Sequence, residues 1–405
     1  MVSFNNTEYA FAYKSNTALK KANFLFASMG KPWLVNFGLK VLPLAIKWRI
    51  PFTKTIIKNT IFGQFVGGET LQETATVANT LGKFNVNVIL DYGVEGGQNG
   101  EEGYNNAMAE FVSVIDYAAT QNNIPYMSIK VTGLVSFELL ESLDGLMNAA
   151  EGTLINRYNI AKSKLVAAQI LEWDKAVDRF MNICRVGAKK GIGVLVDAEE
   201  TWIQDPVDAI TMLAMDEFNK IKPVVYNTIQ LYRHDRLTFL KACHIAATER
   251  NFILAVKLVR GAYMEKERNR AIENNYISPI QPSKQICDTD YNAAVNFCIS
   301  HISNTAIIVA THNEDSNLLA AKALENNGIA YEHKHIHFSQ LYGMSDNITF
   351  NLAKNNFNVS KYLPFGPIGD VIPYLMRRAQ ENSSVSGQMG RELGLIKKEL
   401  VRRKV

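Results

Sequence analysis

Two periodicities divide the chain. Up to about residue 83 the apolar positions recur at helical spacing, and beyond it short β-branched runs alternate with longer helical stretches. The runs are NVNVILDYG (85–93), PYMSIKVTGL (125–134), GIGVLVDAEE (191–200), PVVYNTIQLY (223–232), ILAVKLVRGAY (253–263), TAIIVATHN (305–313), HKHIHFSQLYG (333–343) and NVSKYLPFGP (358–367). Eight such runs, each followed by a helical stretch, are the pattern of a parallel (β/α)8 barrel. Their near-continuous apolar character agrees, because a barrel strand is covered on both faces. The expected fold is α/β: a distorted (β/α)8 TIM barrel over 84–385, an N-terminal helical segment (1–83) packed on it, and a basic C-terminal helical tail (386–405). A final helix lies over the barrel mouth.

Composition narrows the function classes. With 405 residues, 47% hydrophobic and 20% charged, the chain suits one large barrel with an added helical segment. Its net charge of +4 is small and its basic residues are spread out except in KKELVRRKV at the end, so nucleic-acid binding is not indicated. Cys184, Cys243, Cys287 and Cys298 lie far apart without a CxxC, which implies free thiols in a reducing compartment. There is no signal-peptide pattern and no apolar run near the ~20 residues of a membrane span. Residues 31–49, KPWLVNFGLKVLPLAIKWR, set Trp33, Leu34, Phe37, Leu42, Leu44, Ile46 and Trp48 between basic flanks. They fit either a core-packing helix pair or an amphipathic element at a membrane surface.

The candidate chemistry gathers where a barrel builds its sites, at the C-terminal ends of the strands. Those ends carry Lys130, Asp197, Gln230, Lys257, Arg260, Tyr263, Thr311, His312, Asn313 and Tyr362. Further on, Tyr374, Arg377, Arg378 and Glu381 are spaced to share one helix face that also has apolar neighbours. Paired guanidinium forks there suit a small carboxylate, gripped bidentately. The glycine cluster GVEGGQNGEEG (93–103) falls in the first βα loop and reads as a flexible loop or lid. Neither a GxGxxG after a first strand nor a P-loop is found. His333, His335 and His337 alternate along one predicted strand, where neighbouring side chains alone do not wrap a tetrahedral ion, so no metal site is expected. In the DAEE run Glu199 is expected on the strand face opposite Asp197, which argues against a paired-carboxylate glycosidase.

The phrases LVDAEE (195–200), VKLVRGAY (256–263), VATHN (309–313), QLYGM (340–344) and YLPFGP followed by YLMRRAQEN resemble those of flavin-dependent proline dehydrogenases, in order from about residue 66 to 382. The likeness is closest to the single-function enzymes. It implies oxidation of L-proline to 1-pyrroline-5-carboxylate, with hydride passing to N5 of non-covalent FAD and electrons to a membrane quinone. By the same resemblance Arg377, Arg378 and Lys130 hold the proline carboxylate, while Tyr263, Leu341, Tyr362 and Tyr374 form the ring pocket. Asp197 matches an acidic residue that organises this pocket by bonding Tyr362 and Lys130. Gln230 and Lys257 match positions at the isoalloxazine edge, the first as a donor and the second as a positive charge. Val259, Arg260, Gly261, Thr311, His312, Asn313 and Glu381 match further cofactor positions. Glu95 matches an acidic partner of the two arginines and closes the site by pairing with one of them.

The resemblance also implies a downstream pyrroline-5-carboxylate dehydrogenase as functional partner, and a cytoplasmic location or peripheral contact with the inner face of a bacterial membrane. The alternatives are a hydroxyproline dehydrogenase, against which Tyr362 leaves little room for a ring hydroxyl, and a flavin-free barrel that binds an amino acid.

Overall fold

The structure is a computed structural model. It describes all residues except 1, 32, 36, 37, 39, 42, 43, 45–47, 49, 50, 94–99 and 385, and for 380–389 it describes no side chains. Eight strands, β1 (Asn87–Tyr92), β2 (Tyr126–Ile129), β3 (Gly193–Val196), β4 (Val225–Gln230), β5 (Leu254–Val259), β6 (Thr305–Ala310), β7 (Ile336–Leu341) and β8 (Val359–Phe365), close in sequence order into a barrel. All eight fall inside the apolar runs that the sequence offers as strands. Every residue of β3 and β4 is buried, which is why those runs show no alternation.

By compactness the chain divides into Met1–Val94 with Phe338–Val405, and Glu95–His337. In the first unit, β8 pairs in parallel with β1 and β7. Its core joins Leu19, Phe26, Phe65 and Val371 to Leu375, Leu395 and Ile396. The helix Asn16–Met29 starts at Ser15, whose side chain accepts from Ala18 N, and the helix Leu71–Gly82 starts at Thr70 in the same way. Gly343 of the QLYGM motif has φ +80, and a Cβ there would lie 2.0 Å from the Gln64 carbonyl, so only glycine lets these two backbones meet.

The C-terminal helix Ser386–Arg403 is a docked element. It buries Leu395, Ile396 and Glu399, and Arg403 donates to the carbonyls of Phe11 and Lys14, each at 2.8 Å.

In the second unit, β2 to β6 pair in parallel and in order. The long helix Ala167–Lys190 buries Trp173, Phe180 and Ile183, and Arg179 from the same helix pairs with Glu101. The helix Gly100–Ala118 begins inside the stretch expected as a glycine loop. Glu101 and Glu102 in its first turn explain the early start, since carboxylates favour a helix N-terminus. The four cysteines are free and buried, and burial pushes their thiols up.

Candidate active site

In the unit Glu95–His337 the C-terminal strand ends carry two clusters of the expected residues. Register places Lys257 beside Thr228 and Val259 beside Gln230, so alternation puts all four on one face of the sheet. There Lys257, almost fully buried, forms an ion pair with Asp197, which directly follows β3. The expectation linked Asp197 to Lys130 and Tyr362; the structure adds an ion pair with Lys257. Proximity across strands, which the sequence does not encode, decides this.

The second cluster surrounds Arg260. Its guanidinium donates to Asp288 Oδ1 at 2.7 Å, Thr311 Oγ1 at 2.7 Å and Ser316 Oγ at 3.0 Å, and lies 4.3 Å from the ring centroid of Tyr291. Asn313 caps the helix Glu314–Asn326 by accepting from Ser316 N, while its own N–H donates to Thr311 Oγ1. Arg260, Thr311 and Asn313 therefore do meet, around a helix N-terminus. Gly261, at φ +136, is held by the ring of Tyr232, which a Cβ would approach to 2.5 Å. His312 and Tyr263 lie half-buried nearby in sequence, the latter at the start of the helix Met264–Glu273.

Sequence reasoning set Glu199 aside, and the structure brings it back. It lies in the loop after β3, so strand alternation does not apply to it. Its carboxylate accepts from Thr132 Oγ1 at 2.9 and 3.0 Å, just beyond Lys130, and its carbonyl accepts from Gln230 Nε2 at 3.0 Å. Burial lifts its carboxyl to about 7, with Lys130 and Thr132 opposing that rise. The signal available in the sequence was the second carboxylate two residues after Asp197.

Gln230 was expected as a donor. One N–H of its amide donates to the Glu199 carbonyl, and its buried Oε1 has no hydrogen-bond partner. An orphaned buried acceptor costs about 1–3 kcal/mol, so the position suits a ligand that brings an N–H, as an isoalloxazine does. These residues fit a flavin on that ground.

In the unit of Met1–Val94 with Phe338–Val405, Leu341 and Tyr362 are register partners on β7 and β8, and so share a face. The helix Ile368–Ser384 carries Tyr374 and Arg378, both buried, with the Arg378 guanidinium 5.2 Å from the Tyr374 ring centroid, and the half-buried Arg377 beside them. Glu95 and the Glu381 side chain lie outside the described residues. His333 and His335 precede β7, His335 Nδ1 lies 2.7 Å from the Ile302 carbonyl, and His337 packs on Tyr126 with its pKa lowered to about 3 by burial.

A family model described as proline dehydrogenase matches residues 74–391. The chain belongs to the proline dehydrogenase family. Membership implies a flavin cofactor. It is 32% identical to proline dehydrogenase 1, mitochondrial, of Dictyostelium discoideum, over 86% of this chain and 65% of that one. It is 30% identical to hydroxyproline dehydrogenase of Xenopus laevis, over 97% of this chain and 88% of that one. Among solved structures, proline utilization A of Bdellovibrio bacteriovorus superposes with a TM-score of 0.70 at 20% identity, over 93% of this chain and 38% of the other, which shows the shared barrel. The chain thus spans about two thirds of the Dictyostelium protein and under half of the solved one.

Proposed function

We propose that the protein is an FAD-dependent L-proline dehydrogenase that forms 1-pyrroline-5-carboxylate. The observation that carries this reading is the family match, which includes every motif quoted from the strand ends and the arginine helix. Bound FAD supplies the acceptor for the hydride leaving C5 of proline.

The residues divide the remaining work. Arg377 and Arg378 grip the proline carboxylate with paired forks, and Lys130 adds a third positive charge. Leu341, Tyr362, Tyr374 and Tyr263 enclose the ring and exclude water. Asp197 acts through Lys257, orienting its ammonium at the flavin edge and balancing its charge while the flavin is oxidised. Gln230 Oε1 accepts from the cofactor, and Arg260, Thr311, His312 and Asn313 serve its polar chain, with Val259 and Gly261 giving close backbone approach. No strongly basic residue is required if proline arrives with its amine deprotonated. By the family resemblance Glu95 is assigned to pair with Arg377 or Arg378, and Glu381 to the cofactor. A membrane quinone takes the electrons, which places the protein in the cytoplasm or at the inner face of the membrane, and a dehydrogenase of the product acts next. Among the described residues no helix is long and apolar enough to cross a bilayer.

A hydroxyproline reading draws on the Xenopus relative, whose alignment covers more of this chain. Tyr362 argues for proline, because an aromatic ring over C4 leaves little room for a hydroxyl. Anaerobic addition of proline and of hydroxyproline to the purified protein tests both. Faster bleaching of the flavin band by proline is expected; faster bleaching by hydroxyproline reverses the assignment, and a colourless protein that takes up no flavin overturns it.

A further inference from the structure

Two histidines meet at the opposite end of the strands from the candidate chemistry. His244 lies on the helix Arg236–Glu249 that follows β4, and His301 closes the helix Lys284–Ser300, four residues before β6 begins. A residue just ahead of a strand sits at the N-terminal face of the barrel, where the (β/α)8 fold does not build its active sites. The two half-buried rings are 4.4 Å apart between centroids and tilted by 59°. Phe297 packs on both, at 5.3 Å from His244 and 4.5 Å from His301.

The surrounding hydrogen bonds settle which nitrogen of each ring is bare. Thr248 Oγ1 gives its one hydrogen to the His244 carbonyl at 2.8 Å, so it accepts from Asn304 Nδ2 at 3.1 Å. That turns Asn304 Oδ1 toward His244 Nε2 at 3.2 Å, and an acceptor there requires N–H on Nε2. Nδ1 of the neutral His244 ring is then a lone pair. In His301 the ring nitrogen Nδ1 lies 2.8 Å from the Phe297 carbonyl, which only accepts, so Nδ1 carries the hydrogen and Nε2 is the lone pair. Neither bare nitrogen has a partner among the described residues.

A histidine that ligates a metal usually donates its second nitrogen to an oxygen, which fixes both tautomer and ring orientation. Both rings already meet that condition. With metal–nitrogen distances of about 2.0 Å, two imidazoles bound at right angles have centroids about 4.5 Å apart, and at the tetrahedral angle about 5.2 Å apart. The separation of 4.4 Å matches the first arrangement. Right-angled nitrogen ligation belongs to tetragonal copper(II) or nickel(II), whereas zinc takes the tetrahedral one. Among the described residues no group of three histidine, cysteine or carboxylate ligands gathers, so water fills the other positions.

The geometry points to a divalent transition-metal site of the copper(II) and nickel(II) class, formed by His244 Nδ1 and His301 Nε2 and tying together the ends of two barrel helices. It does not rest on the proline reading, and its test needs no turnover, so the two fail separately.

The test adds Cu2+, at less than one equivalent, to the purified full chain and records its electron paramagnetic resonance, then titrates Ni2+ and Zn2+ by calorimetry. Two imidazole nitrogens in the copper spectrum and tighter binding of Ni2+ than of Zn2+ are expected. His244→Phe and His301→Phe each keep a flat ring against Phe297 and remove one ligand; both should lower Ni2+ affinity by at least about tenfold. Asn304→Ala frees the His244 tautomer and should weaken binding severalfold. Excess Ni2+ should raise the Tm of the parent and leave that of either Phe variant in place, because a ligand held only by the folded state stabilises it. A copper spectrum with one imidazole nitrogen or none, Ni2+ affinity unchanged in both Phe variants, or a preference for Zn2+ over Ni2+ overturns the site and leaves the pair as packing around Phe297. If a Phe variant does not fold, the copper spectrum of the parent decides alone.

Discussion

Two lysine–aspartate pairs sit on strands of the same barrel and do different things. Lys361 of β8 lies 2.9 Å from Asp346 Oδ1, with both side chains almost wholly enclosed. The same ammonium donates to the Met344 carbonyl, and Asp346 Oδ2 accepts from Tyr13 Oη at 2.7 Å, with the Tyr13 ring stacked 4.5 Å from Phe350. This network ties the first helices to the loop after β7 and is structural. Lys257 of β5 pairs with Asp197, whose carboxylate keeps 15% of its exposure at the C-terminal end of β3. Lys361 neighbours Tyr362 in sequence but takes the opposite strand face. Residue type therefore does not separate a structural ion pair from a chemical one. Enclosure and position along the strand do.

The largest effect expected from breaking this contrast is on folding. Lys361→Met leaves Asp346 as an uncompensated buried charge and should cost about 3–5 kcal/mol in denaturant unfolding. Lys257→Met should cost clearly less, because the Asp197 carboxylate retains contact with water, yet should slow flavin reduction by proline. Equal stability losses in the two variants would erase the distinction.

Next comes the carboxylate clamp. Arg378→Met should weaken proline binding by about 2–5 kcal/mol while the flavin stays bound, read as a raised KM in steady-state kinetics. Arg377→Ala should act in the same direction, and unchanged KM values in both would reject the clamp.

The third effect is on pH dependence. Each unit has a glutamate pushed up to about 7 by burial, Glu392 beside the Lys361 network and Glu199 beside Lys130. A carboxyl raised from 4.5 to about 7 binds its proton more tightly in the folded state. Its contribution to stability is therefore full below pH 4.5 and lost as pH rises through about 7. Glu392→Gln should flatten unfolding free energy over that window by up to roughly 3 kcal/mol and leave the pH profile of flavin reduction alone. Glu199→Gln should alter both. A reduction profile that responds to Glu392 and not to Glu199 would invert the assignment.

The smallest effect concerns ring selectivity. Tyr362→Ser should raise the kcat/KM ratio of hydroxyproline to proline by about tenfold, as expected of a pocket that loses bulk and gains a hydroxyl. A fixed ratio would show that Tyr362 does not face the ring.

Much of this was legible beforehand, for reasons that vary by residue. The strands were visible because burial on both faces makes each run apolar whatever it packs against. The glycine of QLYGM was visible as a motif, but its cause, a backbone 2.0 Å from where a Cβ would be, is a tertiary contact. Asp197 was recognisable as a polar strand end, but not that Lys257 is its partner. Glu199 was misread on two counts: strand alternation places residues two apart on one face, not on opposite faces, and β3 ends at Val196, before either carboxylate.

By itself the sequence determined the number and order of the strands, the family, and the identity of the charged groups, since hydrophobic period and motif are local properties of the chain. The tertiary structure decided which of those charges meet. Lys257 with Asp197, Lys361 with Asp346, Arg260 with Thr311 and Asp288, and the exposed rings of Phe24, Trp33, Trp48 and Phe52 all depend on which faces the fold covers. A group's partner and its solvation are set by elements distant in sequence, and these two quantities decide whether a charge holds the fold together or is available for chemistry.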